Sequence, residues 1–237
     1  MAPNPFNPAL LVIDVQEDFC PPHGSLAVPS GRAVAPTINT LLTLPFTTKI
    51  ATRDWHPKDH ISFASNHPAP DNIPAKSTTT IVNPRNSRET STTLLWPDHC
   101  IQHTPGADLI PELDAKRLDR VIDKGRQPGF ETYSAFGAPF RDPVVAECES
   151  GLKEALRGKG VSHVFVVGLA ADFCVACTAA DAAEAGFETL IVEEGVRAVD
   201  GQGWGEKRRE LKLKGVRVVG LEGQEVGWVR ELTGDGE

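Results

Sequence analysis

Cys174, Asp14 and Lys124 are residue types that together make a covalent catalyst. A thiolate attacks an electrophilic carbon, a carboxylate moves protons, and an ammonium steadies negative charge. Each lies just past a short apolar run. Asp14 closes Ala9–Ile13, Lys124 follows Asp119–Asp123, and Cys174 comes soon after Val161–Gly168. A helix is expected from about Phe173, with Asp172 as its N-cap. Cys174 then falls in the first helical turn, where unpaired N–H groups and the helix dipole favour a thiolate. The same N–H groups suit an oxyanion developing beside the sulfur.

Asp54-Trp55-His56-Pro57 carries a second chemistry. Pro57 biases His56 toward extended backbone, and residues two apart on an extended segment point the same way. Asp54 and His56 can therefore converge. His99, in Trp96-Pro97-Asp98-His99-Cys100, is a candidate third ligand. Two imidazoles and a carboxylate suit zinc, with iron or manganese as alternatives, and three protein ligands leave a position open for chemistry. His60 and His103 stand four residues beyond His56 and His99, and spacing alone leaves both open. His23, His67 and His163 read as solvated or locally hydrogen-bonded.

Cys174-Val175-Ala176-Cys177 also has the form of a redox pair at a helix start, or half of a zinc site. No second such pair completes a zinc site. The redox reading leaves Asp14, Lys124 and the Asp/His group unexplained. Cys177 is expected to pack inside a small-residue helix running through Ala179, Ala180, Ala182 and Ala183.

The elements that must position these groups alternate. Strands are expected at Ala9–Val15, Thr48–Arg53, Asp119–Asp123, Val161–Gly168, Phe187–Glu193 and Gly215–Gly220. Helices are expected near Asn39–Leu44, Val144–Arg157, Phe173–Ala185, Gly203–Lys214 and Glu222–Leu232. This alternation predicts an α/β fold, one doubly wound domain over residues 1–237, with a six-stranded parallel sheet flanked by helices. Reactive residues then collect beyond the carboxyl ends of the strands, where such sheets build their sites. One polar insert at about 66–94, rich in Pro, Ser, Thr and Asn, interrupts the rhythm and has room for minor strands.

Composition narrows the function classes. The chain has 237 residues and a net charge of −8. Its one basic run, Lys207 to Arg209, is flanked by Glu206 and Glu210, so no nucleic-acid partner is expected. No apolar run approaches the ~20 residues of a membrane span, and Met1–Ala9 lacks a signal-peptide pattern. The C-terminal Gly234-Asp235-Gly236-Glu237 matches no common address. Five cysteines argue against a disulfide framework and for an intracellular, cytoplasmic setting, with nucleus and peroxisome left open. A homo-oligomer is also left open.

The chain resembles the isochorismatase-like hydrolases, and within them the nicotinamidases. The resemblance is carried by Asp14-Val15-Gln16-Glu17-Asp18-Phe19, Arg53–Pro57, Trp96–Cys100, Lys124-Gly125, Tyr133-Ser134-Ala135-Phe136 and Gly168–Val175, in family order over about residues 9–200. It implies a catalytic triad of Asp14, Lys124 and Cys174, and a divalent metal, zinc first, held by Asp54, His56 and His99. It implies a cis peptide between Leu169 and Ala170, and an oxyanion hole from the N–H groups of Ala170 and Cys174. Phe19, Trp96 and Tyr133 would line a ring pocket. The implied reaction is hydrolysis of nicotinamide to nicotinate and ammonia, in NAD salvage, with the pyridine nitrogen directed to the metal. Ala171 departs from a frequent Thr, His103 from a frequent Gly, and the polar insert is longer than in compact members. The alternatives are another cysteine amidase acting on an N-carbamoyl or ureido compound, and a non-catalytic metal-binding scaffold.

Overall fold

Every residue of Pro8–Ile13 (β1) is buried, as an unbroken apolar run requires of a strand covered on both faces. It pairs in parallel with Thr48–Asp54 (β2) on one side and with His163–Leu169 (β6) on the other. The computed structural model describes residues 2–232; the C-terminal tetrapeptide considered for targeting lies outside them. The main sheet has six strands in the order β5-β2-β1-β6-β7-β8, where β5 is Arg120–Lys124, β7 is Glu188–Arg197 and β8 is Val216–Val219. All its pairings are parallel.

Alternation along β1 divides the core. Leu10 and Val12 face one layer, where Ala35–Leu42 (α1) and Gln224–Arg230 (α5) pack. Ala9, Leu11 and Ile13 face the other, built on Leu152–Gly158 (α2), Ala176–Glu184 (α3) and Trp204–Leu213 (α4). The chain is thus a single α/β domain wound on both faces of the sheet. Chain order reverses between β1 and β6, which opens a crevice at their carboxyl ends.

The polar insert folds as an antiparallel hairpin of Thr78–Asn83 (β3) and Asn86–Leu94 (β4). Ile81 packs with Ala138, Phe140 and Val145 in a small satellite core. Among the described residues, no helix is long and apolar enough to cross a membrane.

Several expected boundaries shift. β1 ends at Ile13 rather than Val15, because Asp14 turns the backbone left-handed at φ 48°. α1 starts earlier, at Ala35, where Pro36 supplies a helix-compatible φ in the first turn. α2 starts at Leu152 rather than Val144. The intervening segment forms only a short 3-10 turn at Ala146–Cys148, and Gly151 takes φ 79° before the first helical residue.

Candidate active site

The β2–β5 register sets Asp54 beside Lys124, and the β1–β6 register sets Ile13 beside Gly168. Four strand ends therefore deliver Asp14, Asp54, Lys124 and the loop to Cys174 into one crevice. The Thr52 hydroxyl donates to Asp14 Oδ1 at 2.6 Å, orienting the carboxylate. Lys124, 3% exposed, lies at the centre. Its Nζ is 3.0 Å from Asp14 Oδ2, donates to Asp54 Oδ1 at 2.5 Å and to the Thr132 carbonyl at 3.1 Å, and is 3.5 Å from Cys174 Sγ.

The segment before α3 departs from the expected helix start. Ala171–Val175 forms a π-helical turn. The Ala170 carbonyl accepts from the N–H groups of Phe173 and Val175, so the Cys174 N–H has no part in that pairing. The peptide between Leu169 and Ala170 is cis. Asp172 is not the N-cap. Its carboxylate instead accepts the N–H groups of Val199 and Asp200 at 3.0 and 2.8 Å, tying down the loop after β7.

Charge counting adds a second influence to the helix start's preference for a thiolate. Two buried carboxylates surround one ammonium, so Asp14, Asp54 and Lys124 together carry −1. Burial pushes the Cys174 thiol well above its ordinary range, Lys124 opposes this, and both aspartates reinforce it. Among the chain's own groups, this field opposes the thiolate that the helix start favours. Burial also raises Asp14 to about 6; Lys124 lowers it and Asp54 raises it further. Burial works against the Lys124 ammonium too, yet Asp14, Asp54 and Cys174 outweigh it and hold it charged. For Asp54, burial is outweighed by Lys124, His56 and His99, so the carboxyl stays ionised.

Beside this trio, ligand atoms of Asp54, His56 and His99 lie within 4.8 Å of one another, and all three residues are buried. His56 Nδ1 donates to the Gly125 carbonyl at 2.9 Å, and His99 Nδ1 donates to the Pro97 carbonyl at 2.7 Å. Each bond fixes Nδ1 as the donor, so that Nε2 offers a lone pair in the neutral imidazole. His56 Nε2 is buried without a hydrogen-bond partner, 3.7 Å from Asp54 Oδ2. An orphaned buried nitrogen facing a carboxylate and a second imidazole fits a cation.

The two histidines that spacing left open separate here. His60 donates from Nε2 to the Phe130 carbonyl at 3.0 Å, and its Nδ1 accepts from the Ser62 hydroxyl at 2.8 Å. It stacks on His56 with both nitrogens engaged. His103 is exposed and packs edge-on against Trp55, outside the crevice.

Above Cys174 the walls are Phe19, Trp96 and Tyr133, joined by Leu26, Val28, Phe173 and Val199; Asp54, His99 and Glu131 contribute the polar floor. Glu131, Phe173 and Val199 were not among the sequence candidates. Phe173 adjoins Cys174 and was within reach of the motif. Glu131 and Val199 sit in loops with no periodic signal. Burial raises the Glu131 carboxyl, whose Oε1 accepts the Thr132 N–H at 2.8 Å. The five cysteines are unpaired. Cys177 is half-buried and lines a surface groove with Ala180 and Lys214.

A model of the isochorismatase domain matches residues 8–223. The nicotinamidase of Acinetobacter baylyi is 40% identical over 197 residues, 83% of this chain and 84% of that protein. Among solved structures, the yeast nicotinamidase bound to the inhibitor nicotinaldehyde is 33% identical with a TM-score of 0.82, covering 90% of this chain and 99% of its own. The pyrazinamidase of Pyrococcus horikoshii in complex with zinc is 31% identical with a TM-score of 0.67, covering the same shares.

Proposed function

Because the chain belongs to the isochorismatase family, with nicotinamidases as relatives over most of its length, we propose that it hydrolyses nicotinamide to nicotinate and ammonia. The observation that carries this reading is one lysine, Lys124, within 3.0 Å of Asp14 and 3.5 Å of Cys174 beneath an aromatic pocket. Asp54, His56 and His99 would hold a divalent cation, zinc in our reading, which supplies a Lewis acid for the pyridine nitrogen and for water. The zinc-bound archaeal relative supports that assignment, and the same donor set accepts iron or manganese.

The trio performs the chemistry. Asp14 is ionised above about pH 6 and takes the Cys174 proton as the sulfur bonds to the carboxamide carbon. The carbonyl electrons move to oxygen, which the Ala170 and Cys174 N–H groups hold; one such donor is worth about 3 kcal/mol. Asp14 returns its proton to the amide nitrogen as the C–N bond breaks and ammonia departs, leaving a thioester. Asp14 next takes a proton from water, whose oxygen attacks the thioester carbon. The C–S bond breaks, Asp14 reprotonates the sulfur, and the acid leaves, giving its proton to solvent to become nicotinate. Throughout, Lys124 keeps the carboxylate within reach. Phe19, Trp96 and Tyr133 hold the ring.

The test is ammonia release from a panel of nicotinamide and N-carbamoyl or ureido compounds. Nicotinamide should be the preferred substrate. Cys174→Ala should abolish release while circular dichroism stays native. Full activity in that variant, or preference for a carbamoyl compound, overturns the reading.

A further inference from the structure

Along β4, Thr93 is the one residue that is fully buried; the rest of the strand is exposed or half-exposed. It is 4% exposed, and its hydroxyl reaches Tyr133 Oη at 2.8 Å. The same phenol oxygen accepts the Trp96 indole N–H at 2.8 Å. Both rings wall the pocket and lean on Phe173, Trp96 at 5.1 Å and 87°, Tyr133 at 5.5 Å and 50°. Phe173 adjoins the nucleophile.

Proton accounting explains the arrangement. An indole N–H only donates, so Tyr133 Oη accepts from Trp96. Burial holds the phenol well above its usual range, so it keeps its own proton, which needs an acceptor. Thr93 Oγ1 is that acceptor. The Thr93 hydroxyl proton points to its remaining local partner, the Leu94 carbonyl, at 3.4 Å. Removing Thr93 Oγ1 strands a buried donor, and the ring can recover a partner only by turning, which also releases Trp96.

We propose that Thr93 is a positioning residue for the substrate ring, acting through Tyr133 and Trp96, and that this is how the polar hairpin contributes to the site. The proposal rests on the nicotinamidase reading for its substrate. It assigns Thr93 to recognition of a flat heteroaromatic carboxamide and not to the bond-making steps, because Thr93 meets the pocket only through the two rings.

The experiment uses the full chain in six forms: wild type, Thr93→Val, Thr93→Ser, Tyr133→Phe, the Thr93→Val/Tyr133→Phe pair and, for assignment, Trp96→Phe. Thr93→Val keeps the shape and deletes the hydroxyl. It should raise KM for nicotinamide about tenfold with kcat changed less than about threefold, the pattern of lost ground-state binding. Thr93→Ser should restore KM. In the Tyr133→Phe background Thr93→Val should add nothing, since the donor it serves is gone. The Trp96 indole N–H resonance, assigned by its absence in Trp96→Phe, should move in Thr93→Val and return in Thr93→Ser. A wild-type KM in Thr93→Val, an equal loss in the Tyr133→Phe background, or failure of Thr93→Ser to restore KM overturns the proposal. If the wild type releases no ammonia from nicotinamide, the functional reading falls, and the resonance decides Thr93's role. An unmoved signal in Thr93→Val then overturns it.

Discussion

The Lys124 ammonium donates to Asp54 Oδ1 at 2.5 Å, while Asp54 Oδ2 lies 3.7 Å from His56 Nε2. One carboxylate thus touches both the lysine of the candidate triad and the candidate ligand set. The two halves of the site cannot be altered independently, because a change of charge on either side of Asp54 is felt on the other.

Lys124→Met should damage both fold and reaction. It leaves Asp14 and Asp54 facing each other without their shared cation, and breaking a buried pair from one side costs about 3–5 kcal/mol. Urea unfolding should register that loss. Ammonia release should fall on the order of a thousandfold, the range for a positioned proton-transfer system. Near-native stability with near-native activity would remove Lys124 from the centre of the site.

The pH profile should carry the signature of Asp14. A proton on this carboxyl disables the base, so kcat/KM is full above its pKa and lost below it. Burial places that limb at about 6, two units above an ordinary aspartate. Initial rates from pH 4 to 8 should show a rise levelling above about 6. Residual activity in Asp14→Asn should lack this limb. The same limb in that variant would assign it to another group.

Metal content should discriminate the histidines. His56→Ala and His99→Ala should each lose bound metal by elemental analysis, with turnover falling in parallel. A chelator should do the same to the wild type, and restored metal should recover it. His103→Ala should keep both metal and activity, because that ring is exposed against Trp55. Turnover unaffected by verified metal removal would refute the assignment.

Gly125→Ala is a sharper probe of the same centre. Gly125 takes φ 66°, and a Cβ there would collide with the His56 ring at Cε1. Gly186, at φ 94°, has nothing within 4 Å of the position a Cβ would take and serves as the control. Both substitutions should cost about 1–2 kcal/mol from left-handed backbone strain. Only Gly125→Ala should also lose metal. Equal metal content in the two variants would show that His56 tolerates displacement.

The residues most legible in the sequence were those whose role is announced locally. Asp14 and Lys124 end apolar runs, and Asp54 and His56 stand two apart before a proline. Such features survive without knowing what lies across the sheet. Thr93 and Glu131 were not legible for the opposite reason. Each sits in polar sequence with no periodicity, and each matters only because the hairpin and the 131–133 loop fold against the crevice. Asp172 misled because an aspartate before a helix reads as a cap, whereas its carboxylate is taken by the Val199 and Asp200 N–H groups.

Cys174 shows where the division falls. Its nucleophilic type, its place after a buried strand and the presence of an acid and a lysine at other strand ends were all determined by the sequence, because residue type and strand periodicity are local properties. Its electrostatic surroundings were decided by the tertiary structure. Parallel register brings residues 14, 54, 124 and 174 together, where burial and the two aspartates push the thiol up and Lys124 opposes them. The separation of His99 from His103 and the engagement of His60 were decided the same way, because free lone pairs depend on which distant carbonyl each imidazole meets.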